Sequence, residues 1–65
     1  MDKRKLIERI DAGQDCVIVY RFGTQTSVVV TTHDDGDAEV FLSDEQCQRM
    51  IGALRQSLEQ QNEVP

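Results

Sequence analysis

The chain has 65 residues, 38% of them hydrophobic, and a formal net charge of −5 from 12 acidic and 7 basic residues. Folding of so short a chain buries only about 60% of the surface that the unfolded chain exposes, so we expect one domain of low intrinsic stability. The negative charge disfavours binding to phosphate backbones, and the sequence has no apolar run of the roughly 20 residues that a transmembrane helix requires.

The first segment, residues 2–12, has a helical pattern. Leu6, Ile7 and Ile10 have helical spacing, and charged residues fill most of the other positions. Gly13 follows, and helices commonly end in a glycine with a left-handed backbone. The pattern predicts a short amphipathic helix.

Three strands are predicted next. Residues 16–22 are mainly β-branched or aromatic, residues 26–33 are rich in Val and Thr, and residues 38–42 are the third apolar run. Gly23 predicts a tight turn between the first two strands, and Asp35-Gly36 predicts a type I′ turn between the second and third. With two-residue loops, Ile18 lies opposite Val29.

A second helix is predicted from Ser43. The Ser43 hydroxyl and the Gln46 side chain have the spacing of a capping box. Asp44 and Glu45 fall in the first turn, where the helix dipole favours negative charge. An apolar stripe follows at Cys47, Met50, Ile51, Leu54 and Leu58.

These elements predict an α+β fold of the order α-β-β-β-α, in which a three-stranded antiparallel meander packs against two helices. Residues 1–60 form the single domain, and residues 61–65 are expected to be a disordered C-terminal tail. Two cysteines are too few for a disulfide-stabilised secreted scaffold. The first residues contain no apolar signal-peptide region, so we expect free thiols and a cytoplasmic location.

The expected register leaves an apolar sheet face without a helix. If both helices cover one face, the opposite face exposes a patch that exceeds what monomers usually leave in water. We predict that this face forms a homodimer interface, and the alternative is that the helices divide between the two faces. The residues of the predicted dimer face are Val17, Val19, Val28, Val30 and Phe41.

The sequence has no pattern of catalytic or cofactor-binding residues. The single histidine, His33, has no Ser or Cys nucleophile nearby in the expected register. The spacing around Gly36 is not that of an EF-hand, because Leu42 stands where the bidentate Glu is required. We therefore expect no enzyme activity, no cofactor and no metal.

Six carboxylates occur between residues 31 and 48 without any Lys or Arg. A surface of this kind fits a protein partner with a basic surface, and it disfavours direct binding to nucleic acid or to a membrane. The alternative is a solvated face without a binding role. The predicted partner-binding residues are Asp34, Asp35, Asp37, Glu39, Asp44 and Glu45.

Two families show partial similarity to this chain. The predicted order resembles that of the double-stranded-RNA-binding domain, but Asp44, Glu45 and Gln46 stand where that family has basic residues, so RNA binding is not implied. The Leu6-Ile7 pair with Ile10, the Asp35-Gly36 turn and the Ser43 helix start resemble the small acidic anti-CRISPR proteins of phages. That resemblance implies that the carboxylates imitate DNA phosphates.

The sequence therefore predicts a non-enzymatic interaction or inhibitor protein, encoded by a phage or mobile element, that binds a basic partner through an acidic hairpin and helix start. The alternative is a homodimeric structural or regulatory module that acts through the Val and Phe face.

Overall fold

The structure, a computed structural model, describes residues 4–60. Four strands precede one helix: β1 (Lys5–Ala12), β2 (Asp15–Phe22), β3 (Gln25–Thr32), β4 (Gly36–Leu42) and α1 (Asp44–Gln60). The strands form one antiparallel meander in the order β1-β2-β3-β4. The predicted α-β-β-β-α fold is therefore wrong, and the order is β-β-β-β-α. The predicted tail, residues 61–65, lies outside the described residues.

The segment predicted as the first helix is the edge strand β1. Its two-residue turn to β2 joins Ala12 to Asp15, and Gly13 has a φ of 71°. Positive φ suits a hairpin glycine as well as a helix C-terminus, so Gly13 did not distinguish the two. A register shift between Leu6 and Glu8 breaks the alternation of β1. The apolar residues of β1 therefore do not recur at every second position, which is the pattern that would have indicated a strand.

The β2–β3 hairpin has the predicted register. Ile18 pairs with Val29 and Tyr20 pairs with Ser27 across a two-residue turn. This prediction is confirmed because the turn residues alone determine the pairing of a tight hairpin.

The β3–β4 hairpin has a longer loop than predicted. Thr32 pairs with Gly36, so three residues lie in the loop, and Gly36 is the only residue of the Asp35-Gly36 pair with positive φ, at 84°. The type I′ prediction is wrong. Val29 therefore pairs with Glu39 and not with Leu42, and every side chain of β4 lies on the face opposite to the expected one.

The sheet has two chemically different faces. The face toward α1, called here the helix face, contains Val17, Val19, Val28, Val30, Val40 and Leu42. The other face, called here the aromatic face, contains Tyr20, Phe22, Ser27, Glu39 and Phe41.

The start of α1 is held by local hydrogen bonds. The Gln46 backbone N–H donates to Ser43 Oγ at 3.2 Å, and the Ser43 backbone N–H donates to Gln46 Oε1 at 2.9 Å. The predicted capping box is confirmed. The Arg21 guanidinium donates to Asp44 Oδ1 at 3.0 Å and thereby ties the first turn of α1 to the end of β2.

The chain buries very little apolar surface. Within residues 4–60, Cys16 is the only buried hydrophobic residue, and Ser27 is the only buried polar one. The radius of gyration is 13.9 Å, whereas a compact domain of this length has about 11 Å. One chain thus builds a complete sheet and a complete helix without enclosing a core between them.

Two glycine substitutions should change stability in opposite directions. At Gly36 an added Cβ meets no atom within 4 Å, so Gly36→Ala costs only the left-handed backbone strain, about 1–2 kcal/mol. Gly52 lies within α1 and also has open space around it, so Gly52→Ala should stabilise the fold by about 1 kcal/mol. Urea unfolding, with both variants and the wild type at the same protein concentration, measures the two changes in the free energy of unfolding. Equal effects of the two substitutions would contradict the left-handed conformation of Gly36.

Candidate functional site

The candidate site is an apolar groove of about 400 Å³ between the helix face and α1. Alternation along each strand points every second side chain into the groove. Ile10 joins this set because its pairing with Val17 places it on the same face. The sheet wall consists of Ile10, Val17, Val19, Thr26, Val28 and Leu42.

The second wall is the apolar stripe of α1. Residues three and four apart lie on one face of a helix. Four residues of the predicted stripe line the groove, namely Cys47, Met50, Ile51 and Leu54, and Leu58 does not. These side chains are incompletely covered: Met50 is 43% exposed and Leu54 is 55% exposed. Among the described strands, the backbone of α1 lies near β3 and β4, and its first turn is joined to the end of β2 by the Arg21–Asp44 pair. The groove is therefore open on the side of β1 and β2.

The groove has almost no polar lining. Thr26 is its only residue with a hydroxyl group, and that hydroxyl accepts a hydrogen bond from Arg21 at 3.3 Å. The Arg21 guanidinium also donates to the Gly23 carbonyl oxygen at 3.1 Å. The groove therefore offers an occupant apolar contact and few hydrogen bonds.

The aromatic face, in contrast, has a polar cluster at its centre. The Ser27 hydroxyl is fully buried and donates to Glu39 Oε2. Arg4 Nη2 lies 3.4 Å from the same carboxylate oxygen, and the Arg4 guanidinium lies 4.9 Å from the centre of the Tyr20 ring and 6.0 Å from that of Phe22. Charge pairing and cation–π contact thus cover the polar centre of this face.

The structure divides the predicted acidic surface into three places. Asp34 and Asp35 lie in the β3–β4 loop with Asp37 beside it, whereas Asp44 and Glu45 begin α1. The length of β4 separates the two ends by about 20 Å, at roughly 3.4 Å per residue. Glu39 lies between them on the aromatic face, where it contacts Ser27 and Arg4. Asp44 is paired with Arg21.

A carboxylate that the sequence did not single out joins the acidic loop. Asp15 Oδ1 accepts a hydrogen bond from the His33 backbone N–H at 3.2 Å, and Asp34 Oδ1 lies 3.1 Å from His33 Nε2. The β2–β3 register was the available signal, because pairing of Cys16 with Thr31 brings Asp15 beside the end of β3. The acidic end of the sheet thus consists of Asp15, Asp34, Asp35 and Asp37.

The predicted dimer face is largely one surface in the structure, and α1 lies over the part of it that β3 contributes. Val17, Val19, Val28 and Val30 share the helix face, while Phe41 lies on the aromatic face, where its ring centroid is 6.3 Å from that of Phe22. The displaced register of β4 explains the difference. Leu42 takes part in the groove in place of Phe41.

Residues 4–60 hold no group of three or more His, Cys, Asp or Glu side chains arranged to bind a metal ion. In the same part of the chain, no helix has both the length and the apolar character needed to cross a membrane.

Comparison with known proteins yields no relative. No protein family matches the chain, and neither a curated sequence nor a solved structure is significantly similar to it. The two resemblances suggested by the sequence stay predictions, and the helix–meander–helix order that they share is not the order in the structure.

The Glu39 carboxylate should contribute to folding. Glu39→Ala leaves the buried Ser27 hydroxyl without its acceptor, so the free energy of unfolding should fall by about 1–3 kcal/mol. Glu59→Ala, at an exposed position of α1, is the matched control and should stay within about 0.5 kcal/mol of the wild type. Urea unfolding gives both values, and a Glu39→Ala variant as stable as its control would show that Ser27 needs no such acceptor.

Proposed function

We propose that this chain is a non-enzymatic interaction module whose working surface is the apolar groove. The observation that carries the proposal is that the helix face and the stripe of α1 line one groove and are both left partly exposed. Exposed apolar surface of this extent marks a binding site in a stable protein. Its apolar lining suits the side chains of a protein partner.

The dimensions of the elements support an external occupant. Four strands span about 14 Å between the outer strand axes, at roughly 4.8 Å per spacing. A helix with its side chains is about 10 Å wide, so a single helix covers about two strands. Since α1 lies near β3 and β4, a second element of similar width is required over β1 and β2.

The surroundings of the single histidine favour a non-enzymatic role. His33 lies in the β3–β4 loop, and its ring nitrogens approach the carboxylates of Asp15 and Asp34. A nucleophilic site needs a hydroxyl or thiol within hydrogen-bond reach of such a base. The thiols of Cys16 and Cys47 instead lie on the sheet and on α1, and Cys16 is buried.

A second candidate function uses the acidic end of the sheet. The juxtaposition of the β1–β2 turn with the β3–β4 loop adds Asp15 to Asp34, Asp35 and Asp37. This concentration of negative charge favours a partner with a basic surface, which is the function that the sequence suggested. Here the surface is the acidic end alone, without the start of α1.

The groove proposal is tested by placing a charge on one wall. Leu54→Glu puts a carboxylate in the groove, whereas Gln56→Glu puts the same group about 200° around α1. We expect the wild type and Gln56→Glu to retain the same partners from a cell lysate supplemented with untagged chain, and Leu54→Glu to lose them. Circular dichroism verifies that each variant is folded. Identical retention by all three proteins would remove the groove as the working surface.

The second candidate is tested by reversing one charge at a time. Asp35→Lys or Asp37→Lys should weaken retention of a basic partner by about tenfold or more and reduce its salt dependence. Glu59→Lys changes the net charge by the same amount at a distant exposed position of α1 and should have little effect. Affinity measured at two salt concentrations separates the outcomes, and equal weakening by all three variants would indicate an effect of net charge alone.

A further inference from the structure

We propose that the groove is occupied by a second copy of this chain, in a two-fold symmetric dimer that joins the open sides of the two grooves. The inference rests on the proposed function, because it names the partner that the groove binds. In this arrangement, the uncovered half of each sheet, formed by β1 and β2, and the exposed side chains of each α1 stripe face the partner.

Both walls of the groove stay exposed within residues 4–60. Ile10 on the sheet wall is 52% exposed, and Ile51 and Leu54 on α1 are 42% and 55% exposed. A protein interface of standard size covers about 800 Å² on each partner, and one further copy can cover both walls at once.

The scarcity of buried residues indicates a permanent occupant. Cys16 is the only buried apolar residue within residues 4–60, and a chain of 65 residues has little other source of stability. The apolar surface must be covered whenever the chain is folded. A second copy is present wherever the chain is made, whereas a different protein or a small ligand is not.

The groove is also self-complementary, as a two-fold interface requires. One chain supplies both walls of the groove. The sheet wall includes Ile10, Val17 and Val19, and the wall of α1 includes Met50, Ile51 and Leu54. A small molecule fits less well, because small-ligand sites need polar groups that fix orientation, and the Thr26 hydroxyl already binds Arg21.

Sedimentation equilibrium of the full chain, from low micromolar to near-millimolar concentration, tests the dimer. The wild type and Gln56→Glu should show twice the chain mass of 7.4 kDa. Leu54→Glu should raise the dissociation constant by about a hundredfold or more, because a symmetric interface loses the residue twice. A dimer whose dissociation constant is the same in all three proteins would use another surface and would overturn the proposal.

Labelling of the wild-type thiols gives a second measurement that does not depend on whether the Leu54→Glu variant folds. Cys47 lines the groove, so its labelling should slow by about tenfold or more as the concentration rises through the dissociation constant. Mass spectrometry distinguishes it from the buried Cys16, whose labelling reports unfolding. A folded monomer with Cys47 equally reactive at every concentration would overturn the dimer. If that monomer still loses a different partner through Leu54→Glu, the proposed function stands and only the second copy is excluded.

Discussion

The structure depends on a mismatch of widths: a four-stranded sheet is paired with a single helix. The three hairpins align the valines of β2 and β3 on one face, and α1 can reach only the half of that face formed by β3 and β4. The remaining half is apolar and open. The open half limits the apolar burial that stabilises the chain, and it is also the surface at which we propose binding.

The polar side chains mainly serve the fold. Arg21 ties β2 to the start of α1 through Asp44 and also binds the Gly23 carbonyl and the Thr26 hydroxyl. Arg4 and Glu39 cover Ser27 at the centre of the aromatic face. An exposed ion pair such as that of Arg21 with Asp44 stabilises little by itself, about 0–1 kcal/mol. It links the end of β2 to the first turn of α1.

Sequence reasoning was right where a few neighbouring residues decide the structure and wrong where the pairing of one strand with the next decides it. The capping box and the β2–β3 hairpin depend on residues three or four positions apart, and both were predicted. The spacing of Leu6, Ile7 and Ile10 fits a helix as well as it fits an edge strand with a register shift. Only the pairing with β2 shows that the segment is a strand. The acidic residues were predicted as one surface because they are close in sequence, but β4 carries them to opposite ends of the sheet.

By itself, the sequence determined the acidic composition, the valine-rich hairpin and the amphipathic helix after Ser43, since turn residues, period and capping are local properties. Tertiary structure alone decided that the first segment is a strand and that β4 is displaced by three residues from the expected register. That displacement places Leu42 in the groove and turns Phe41 to the aromatic face. The physical reason is that the pairing of a strand with its neighbour decides which face each side chain takes, and a shift by an odd number of residues moves every side chain of a strand to the other face.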